Sequence, residues 1–186
     1  MIYFVRHGES EGNAMGETSA FCIPNEWLDP PLTEKGRQQA RETAEKLRDK
    51  KIDVVVTSKL KRAQETGKII NKYHGVSVIE VDELNERRDD RAEVVERGDR
   101  EWHNSFDFGY EANPDIENLE KFRDRVISAI EKVRNEFGDK DVLVVAHHGV
   151  SHIFRRYFNG EPWEGNIRIT MMRNAEVVEF DFEGLG

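Results

Sequence analysis

A chain of 186 residues, 37% apolar and 35% charged, is long enough to bury a core without covalent staples, and it contains no apolar run approaching the length of a membrane span. A formal net charge of −9 with no compensating basic tract excludes a nonspecific nucleic-acid binder, so an anionic ligand would need a local cluster of positive groups. The single Cys22 excludes an internal disulfide and a cysteine-rich zinc site, and the absence of a signal-like N-terminal pattern predicts a cytoplasmic protein.

The first predicted element is a buried strand, Ile2-Tyr3-Phe4-Val5, which runs straight into Arg6-His7-Gly8-Glu9-Ser10. A loop rich in turn formers follows (Ile23-Pro24-Asn25, Asp29-Pro30-Pro31) and leads to Thr33, an N-cap for a helix over Glu34 to Lys50 with Ala40, Ala44 and Leu47 on its apolar side. Val54-Val55-Val56 reads as a second strand ending at Thr57-Ser58, with a helix from Lys61 to Tyr73 behind it. Val76, Val78 and Val81 mark a third strand. The charged stretch from Asn85 to Asn113 reads as a cap-like insertion over the strand ends, with a helix around Arg91 to His103.

The clearest helical signal lies between Asp115 and Glu136. Ile116, Leu119, Phe122, Val126, Ile130, Val133 and Phe137 recur there at spacings of three and four, which marks a core-facing stripe. Gly138-Asp139 ends it, and the strand Val142-Leu143-Val144-Val145-Ala146 delivers His147-His148-Gly149. A helix over Val150 to Phe158 comes next, and Ile167 to Met172 with Ala175 to Phe182 reads as a hairpin turning at Arg173-Asn174. With no repeat or linker, residues 1–186 form one α/β domain with a mostly parallel central sheet, helices on both faces and a small charged cap.

In such a sheet the carboxyl ends of parallel strands open on one side, where ligands bind. That placement gathers Arg6 and His7 from the first strand, Ser58, Lys59, Lys61 and Arg62 from the second, Glu83, Glu86 and Arg87 from the third, and His147 and His148 from the fourth. Arginine forks pair with phosphate oxygens, a neutral imidazole is a nucleophile near neutral pH, and a carboxylic acid can protonate a leaving oxygen. The set therefore suits phosphoryl transfer from a phosphomonoester.

Five segments carry a closer likeness: Arg6-His7-Gly8-Glu9-Ser10 with Asn13, Leu32-Thr33-Glu34-Lys35-Gly36 with Gln39-Ala40, Ser58-Lys59-Leu60-Lys61-Arg62-Ala63 with Thr66, Leu84-Asn85-Glu86-Arg87, and Ala146-His147-His148-Gly149. In this order the chain resembles the histidine phosphatase superfamily, the phosphoglycerate mutase-like family, over nearly its whole length. The resemblance implies a phosphoglycerate mutase-like fold and a phosphohistidine on His7, with Arg6, Arg62 and His147 stabilising the transferring group and Glu86 as proton donor. It also implies phosphate or substrate contacts from Ser10, Asn13 and the His148 backbone. Arg87, with Arg88 and Arg91, lies where the chain departs from the family pattern and reads first as a solvated charged face, and second as recognising another anionic group on the substrate. No metal or organic cofactor is implied, and a mutase would use 2,3-bisphosphoglycerate. The expected partner is a small phosphorylated metabolite. The oligomeric state stays open, a homodimer included.

Phosphatase is the first reading and bisphosphoglycerate-dependent mutase the second, since Leu84-Asn85-Glu86-Arg87 resembles the mutases while the short chain resembles the phosphatases. Taken alone, Arg62 reads as a solvated helix residue, and spacing does not choose between Glu83 and Glu86; the motif points to Glu86. His148 stands where relatives have glycine. His74, His103 and His152 read as surface or supporting residues. A metal enzyme is the alternative chemistry, but no two histidines stand at helical i, i+4 spacing with acidic support. A noncatalytic phospho-ligand or protein-binding module is the remaining reading.

Overall fold

The computed structural model describes residues 1–14, 20–21, 29–90, 95–96, 101, 104–168 and 171–182. Its centre is a five-stranded sheet of β1 (Ile2–Arg6), β3 (Val54–Thr57), β4 (Val78–Glu80), β6 (Val142–Ala146) and β7 (Val177–Phe180). The spatial order is β4-β3-β6-β1-β7, with only β7 antiparallel. Between these run α1 (Glu11–Ala14), α2 (Glu34–Leu47), α3 (Lys61–Ile70), α4 (Leu119–Phe137) and α5 (His148–Asn159).

The period-two alternation of the strands divides the core between the two faces. Tyr3, Val5, Val55, Leu143 and Val145 pack with Ala44 and Leu47 of α2 and Ala63 and Ile70 of α3. Ile2, Phe4, Val54, Val56, Val142 and Val144 pack on the other side with Phe122, Val126, Ile130 and Val133 of α4 and Ile153 and Phe154 of α5. Both faces are thus covered by helices, as the near-continuous apolar strands require.

Helix starts are set by local capping. Thr33 accepts the Gly36 N–H at 3.0 Å to open α2. Asn118 accepts the Lys121 N–H at 3.0 Å, so α4 starts at Leu119 and not at Asp115. The α5 helix begins two residues before the expected Val150, with His147 as its cap, and closes on the left-handed Gly160 at φ 64°. The helix after β3 ends at Ile70, and Asn71–Tyr73 continues as a single 3₁₀ turn.

Two expectations fail. The closing hairpin does not form: Val177–Phe180 pairs with β1, Ile2 standing opposite Phe180, while residues 167, 168, 171 and 172 belong to no strand. Residues 169–170 of that segment lie outside the described residues. β1, paired with β6 along one edge, offers its other edge to Val177–Phe180 as a ladder of unpaired backbone groups. Of the helix expected around Arg91 to His103, residues 95–96 are instead a short strand, β5 (Val95–Glu96), paired antiparallel with β2 (Ala20–Phe21). Most of the remainder lies outside the described residues, as do Cys22 and the turn Ile23-Pro24-Asn25.

Candidate active site

The register of the sheet brings the site together. Arg6 of β1 stands beside Ala146 of β6, and Thr57 of β3 beside Val145, so the three strands run out at one level. The next residues are His7, His147 and Ser58. The His7 and His147 rings lie 5.1 Å apart between centroids, and Ser58 Oγ is 2.7 Å from His147 Nε2.

His7 is 4% exposed and its Nδ1 lies 2.7 Å from its neighbour's carbonyl, Gly8 O. A carbonyl only accepts, so Nδ1 carries the hydrogen and Nε2 keeps its lone pair. Arg62 Nε donates to that same Nε2 at 3.3 Å. Burial first, then the charges of Arg62 and Arg6, hold the His7 imidazole well below its ordinary value, against the opposing Gly8 bond. The His7 imidazole is therefore neutral, with a guanidinium on its Nε2.

The backbone beyond His7 is fixed by close packing. A methyl group at Gly8 would overlap the Gly36 carbonyl, and one at Gly36 would overlap the carbonyl of Glu9. Gly8 N donates to Thr66 Oγ1 at 3.0 Å, and Glu9 N donates to Gln39 Oε1 at 2.8 Å. The first two sequence segments thus need glycine at these positions so that α2 can lie against the exit of β1.

Arg62 is buried, not a solvated helix residue; its Nη1 lies 3.5 Å from Asp29 Oδ1. Arg6 donates from Nη1 to Met172 O at 2.5 Å. His147 is 0% exposed, and burial, then the Arg62 charge, holds its imidazole well below the usual value. Its Nδ1 is buried with no hydrogen-bond partner among the described residues.

Ser10 and Asn13 form one unit: Asn13 Oδ1 accepts from Ser10 N and Ser10 Oγ, both at 3.2 Å. The same oxygen accepts from Asn174 Nδ2 at 3.1 Å, which also donates to His7 O at 3.1 Å. Asn174, read in sequence as a hairpin turn, thus ties the exit of β1 to Asn13. The left-handed Ala175, φ 57°, donates to Arg6 O at 2.9 Å and turns the chain past the site. No local signal marks Asn174, because its partners lie more than 160 residues away in the chain.

Geometry sets the two glutamates apart. Glu83 pairs with Lys132. Glu86 Oε2 accepts Gly149 N at 3.0 Å in the first turn of α5, and Oε1 accepts Arg87 N at 2.9 Å. Its carboxylate therefore sits beside the His147 cap. Arg87 departs from the expectations of a solvated face and of a substrate contact: it is 4% exposed, with Nε on Glu117 O at 2.7 Å and Nη1 on Ser105 O at 2.7 Å and Ser105 Oγ at 2.9 Å. It lies over Phe106 at 4.9 Å, and burial pushes it down to about 10. These bonds tie together residues 87, 105 and 117, because a buried guanidinium must find acceptors.

His148 and His152 do stand at i, i+4, and His152 is buried against His148, in a supporting place and not on the surface. Their Nε2 atoms lie 3.2 Å apart with no carboxylate between them. Burial first, then neighbouring positive charge, brings His148 to about 4 and His152 to about 3. Among the described residues no three His, Cys, Asp or Glu side chains converge to hold a metal ion. Among these residues, too, no helix is long and apolar enough to cross a membrane.

A neutral histidine at the end of a parallel strand, flanked by two arginines, a second histidine and a glutamate, has the make-up of a phosphoryl-transfer site. The chain belongs to the histidine phosphatase superfamily (branch 1), whose family model matches residues 2–186. It is 33% identical over 185 residues to the uncharacterized phosphatase PhoE of Bacillus subtilis, covering 97% of this chain and 88% of that protein. It is also 33% identical over 164 residues to a 2,3-bisphosphoglycerate-dependent phosphoglycerate mutase of Parvibaculum lavamentivorans, covering 79% and 74%. The structure of YhfR from Bacillus stearothermophilus superposes with a TM-score of 0.79 at 22% identity, over 95% of this chain and 88% of that one, and shares the fold. The protein is a phosphoryl-transfer enzyme of the phosphatase and mutase type.

Proposed function

We propose that the enzyme hydrolyses a small phosphorylated metabolite through a phosphohistidine on His7. The observation that carries this reading is the pairing at His7: Nδ1 is committed to Gly8 O, which leaves the lone pair on Nε2, where it accepts a long hydrogen bond from Arg62 Nε at 3.3 Å that a phosphoryl group can take over. In-line attack by Nε2 on phosphorus would form the N–P bond as the P–O bond to the leaving group breaks, with Glu86 giving its proton to the departing oxygen. Water would then attack the phosphohistidine, losing a proton to Glu86, and release phosphate with His7 regenerated.

Arg6, Arg62 and His147 would carry the charge on the equatorial oxygens. With Ser58 donating to His147 Nε2, Nδ1 of that ring carries the hydrogen as a buried donor suited to a phosphate oxygen. Ser10, Asn13 and the N-terminal turn at His148 would add phosphate contacts. The reaction as written needs neither metal nor organic cofactor. Residues 85–113 would cap the strand ends within a single domain.

Hydrolysis is preferred to mutase activity because the likeness to the phosphatase PhoE spans more of both chains than the likeness to the mutase. The mutase reading, in which 2,3-bisphosphoglycerate primes His7 and a second hydroxyl replaces water, rests on that 33% identical relative. Phosphorus NMR with 3-phosphoglycerate and a trace of 2,3-bisphosphoglycerate separates the two: inorganic phosphate as main product supports hydrolysis, 2-phosphoglycerate without phosphate establishes a mutase. His7→Ala should retain its fold and lose turnover; normal rates in that variant would end the mechanism.

A further inference from the structure

We propose that Arg125 is the positioning residue for the Glu86 carboxyl, holding the loop that carries it and anchored by a half-buried ion pair with Glu117. The inference rests on the reading of Glu86 as proton donor. Arg125 lies on α4, one turn from Phe122, whose ring its guanidinium covers at 4.7 Å. All five of its N–H groups are used. Nη1 donates to Glu83 O and Asn85 O, both at 2.7 Å, and Nη2 donates to Glu86 O at 3.1 Å. Nε and Nη2 grip the Glu117 carboxylate at 2.7 and 2.8 Å.

The loop from Glu83 to Arg88 has only the end of the 3₁₀ turn Asp82–Leu84 to fix it, and residues 85–88 belong to no strand or helix. Its carbonyls of 83, 85 and 86 converge on one guanidinium instead. Glu117 closes the arrangement from the other side: its Oε2 also accepts Arg88 N at 3.1 Å, and its side chain is 8% exposed. At the outer edge Asn85 Oδ1 accepts Lys59 N at 3.0 Å, linking the loop to the end of β3. What remains for the Glu86 side chain is one orientation, against Gly149 N. A lysine at 125 has a single point of charge and no planar fork, so it cannot reach three carbonyls and both carboxylate oxygens together.

A displaced proton donor has a signature that general destabilisation lacks. Loss of the donor slows a substrate in proportion to how badly its leaving group needs the proton. The test compares kcat/KM for 4-nitrophenyl phosphate, whose phenolate leaves readily, with that for phenyl phosphate, in the wild type and in Glu86→Gln, Arg125→Lys, Arg125→Met and Glu117→Gln. The nitrophenyl-to-phenyl ratio should rise about tenfold or more in Glu86→Gln and in both Arg125 variants, and by less in Glu117→Gln, which keeps the arginine but weakens its anchor. Circular dichroism identifies the variants that fold. A ratio that rises in Glu86→Gln but is unchanged in every folded variant at 125 and 117 overturns the inference. A ratio unchanged in Glu86→Gln overturns the proton-donor reading and the inference with it.

Discussion

Glu86 Oε2 accepts the Gly149 N–H at 3.0 Å, and a methyl group on Gly149 would overlap Glu86 Oε1 while standing 3.3 Å from Phe122 Cζ. The Glu86 carboxyl group and the first turn of α5 are therefore packed without a spare atom between them. In Gly149→Ala the atom that must yield is the end of a flexible side chain, so the fold survives while the carboxylate is pushed aside. The expected result is a melting temperature close to wild type with kcat reduced about a hundredfold, the scale of a lost general acid. Thermal melts beside steady-state rates would show it, and a proportionate loss of both would point to misfolding instead.

Thr66 is fully buried and holds two main-chain groups, accepting Gly8 N–H at 3.0 Å and donating to Arg62 O at 2.7 Å. Thr66→Val keeps the shape and leaves the Gly8 N–H buried without an acceptor. Such a group costs about 1–3 kcal/mol. Urea unfolding should report a loss in that range, and activity should fall as well because Gly8 O also holds Nδ1 of His7.

Asn174→Ala removes the donor that joins His7 O to Asn13 Oδ1, and should lower kcat/KM about tenfold while leaving stability nearly unchanged. Asn174→Asp should be worse than alanine, since a carboxylate offers those two oxygens no hydrogen and opposes a bound phosphate. Rates ranked in the reverse order would mean that Asn174 acts only through its bulk.

The four site histidines set an acid limit to stability. Burial, first among the causes, lowers His7, His147, His148 and His152 below their unfolded value of 6.5, and Arg62, Arg6, Arg155, Arg156 and Arg168 add to it in different combinations. Above pH 6.5 neither folded nor unfolded chain binds protons at these rings. Below it the unfolded chain takes them up first, so stability falls, and for His148 this continues until about pH 4. Each such ring adds a slope of up to ~1.4 kcal/mol per pH unit. Unfolding followed from pH 7 to pH 4.5 should show this decline, with a shallower slope in His152→Leu; identical slopes would refute it.

What could be read in the sequence is what short-range chemistry dictates. The apolar runs at Ile2–Val5, Val54–Val56 and Val142–Ala146 are strands because their residues are buried on both faces, and once they are parallel neighbours His7, Ser58 and His147 must meet. The capping threonine at 33 and the stripe from Leu119 to Phe137 were legible for the same reason. The pairing of β2 with β5 was not, because two-residue strands have no periodicity. Nor were the duties of Arg87, Arg125 and Asn174: an arginine in a charged stretch looks solvated until the carbonyls that surround it, supplied from other parts of the chain, are in place.

The segment between Met172 and Val177 reaches Arg6 through a carbonyl, the Arg6 and His7 carbonyls through an amide, and Asn13 through a side chain, all before β7 zips onto β1. The supports of the β1 exit thus come from residues more than 160 positions further along the chain. The geometry around His7 is tied to the docking of β7 on β1, while the two helical layers take most of their packing from the other strands of the sheet.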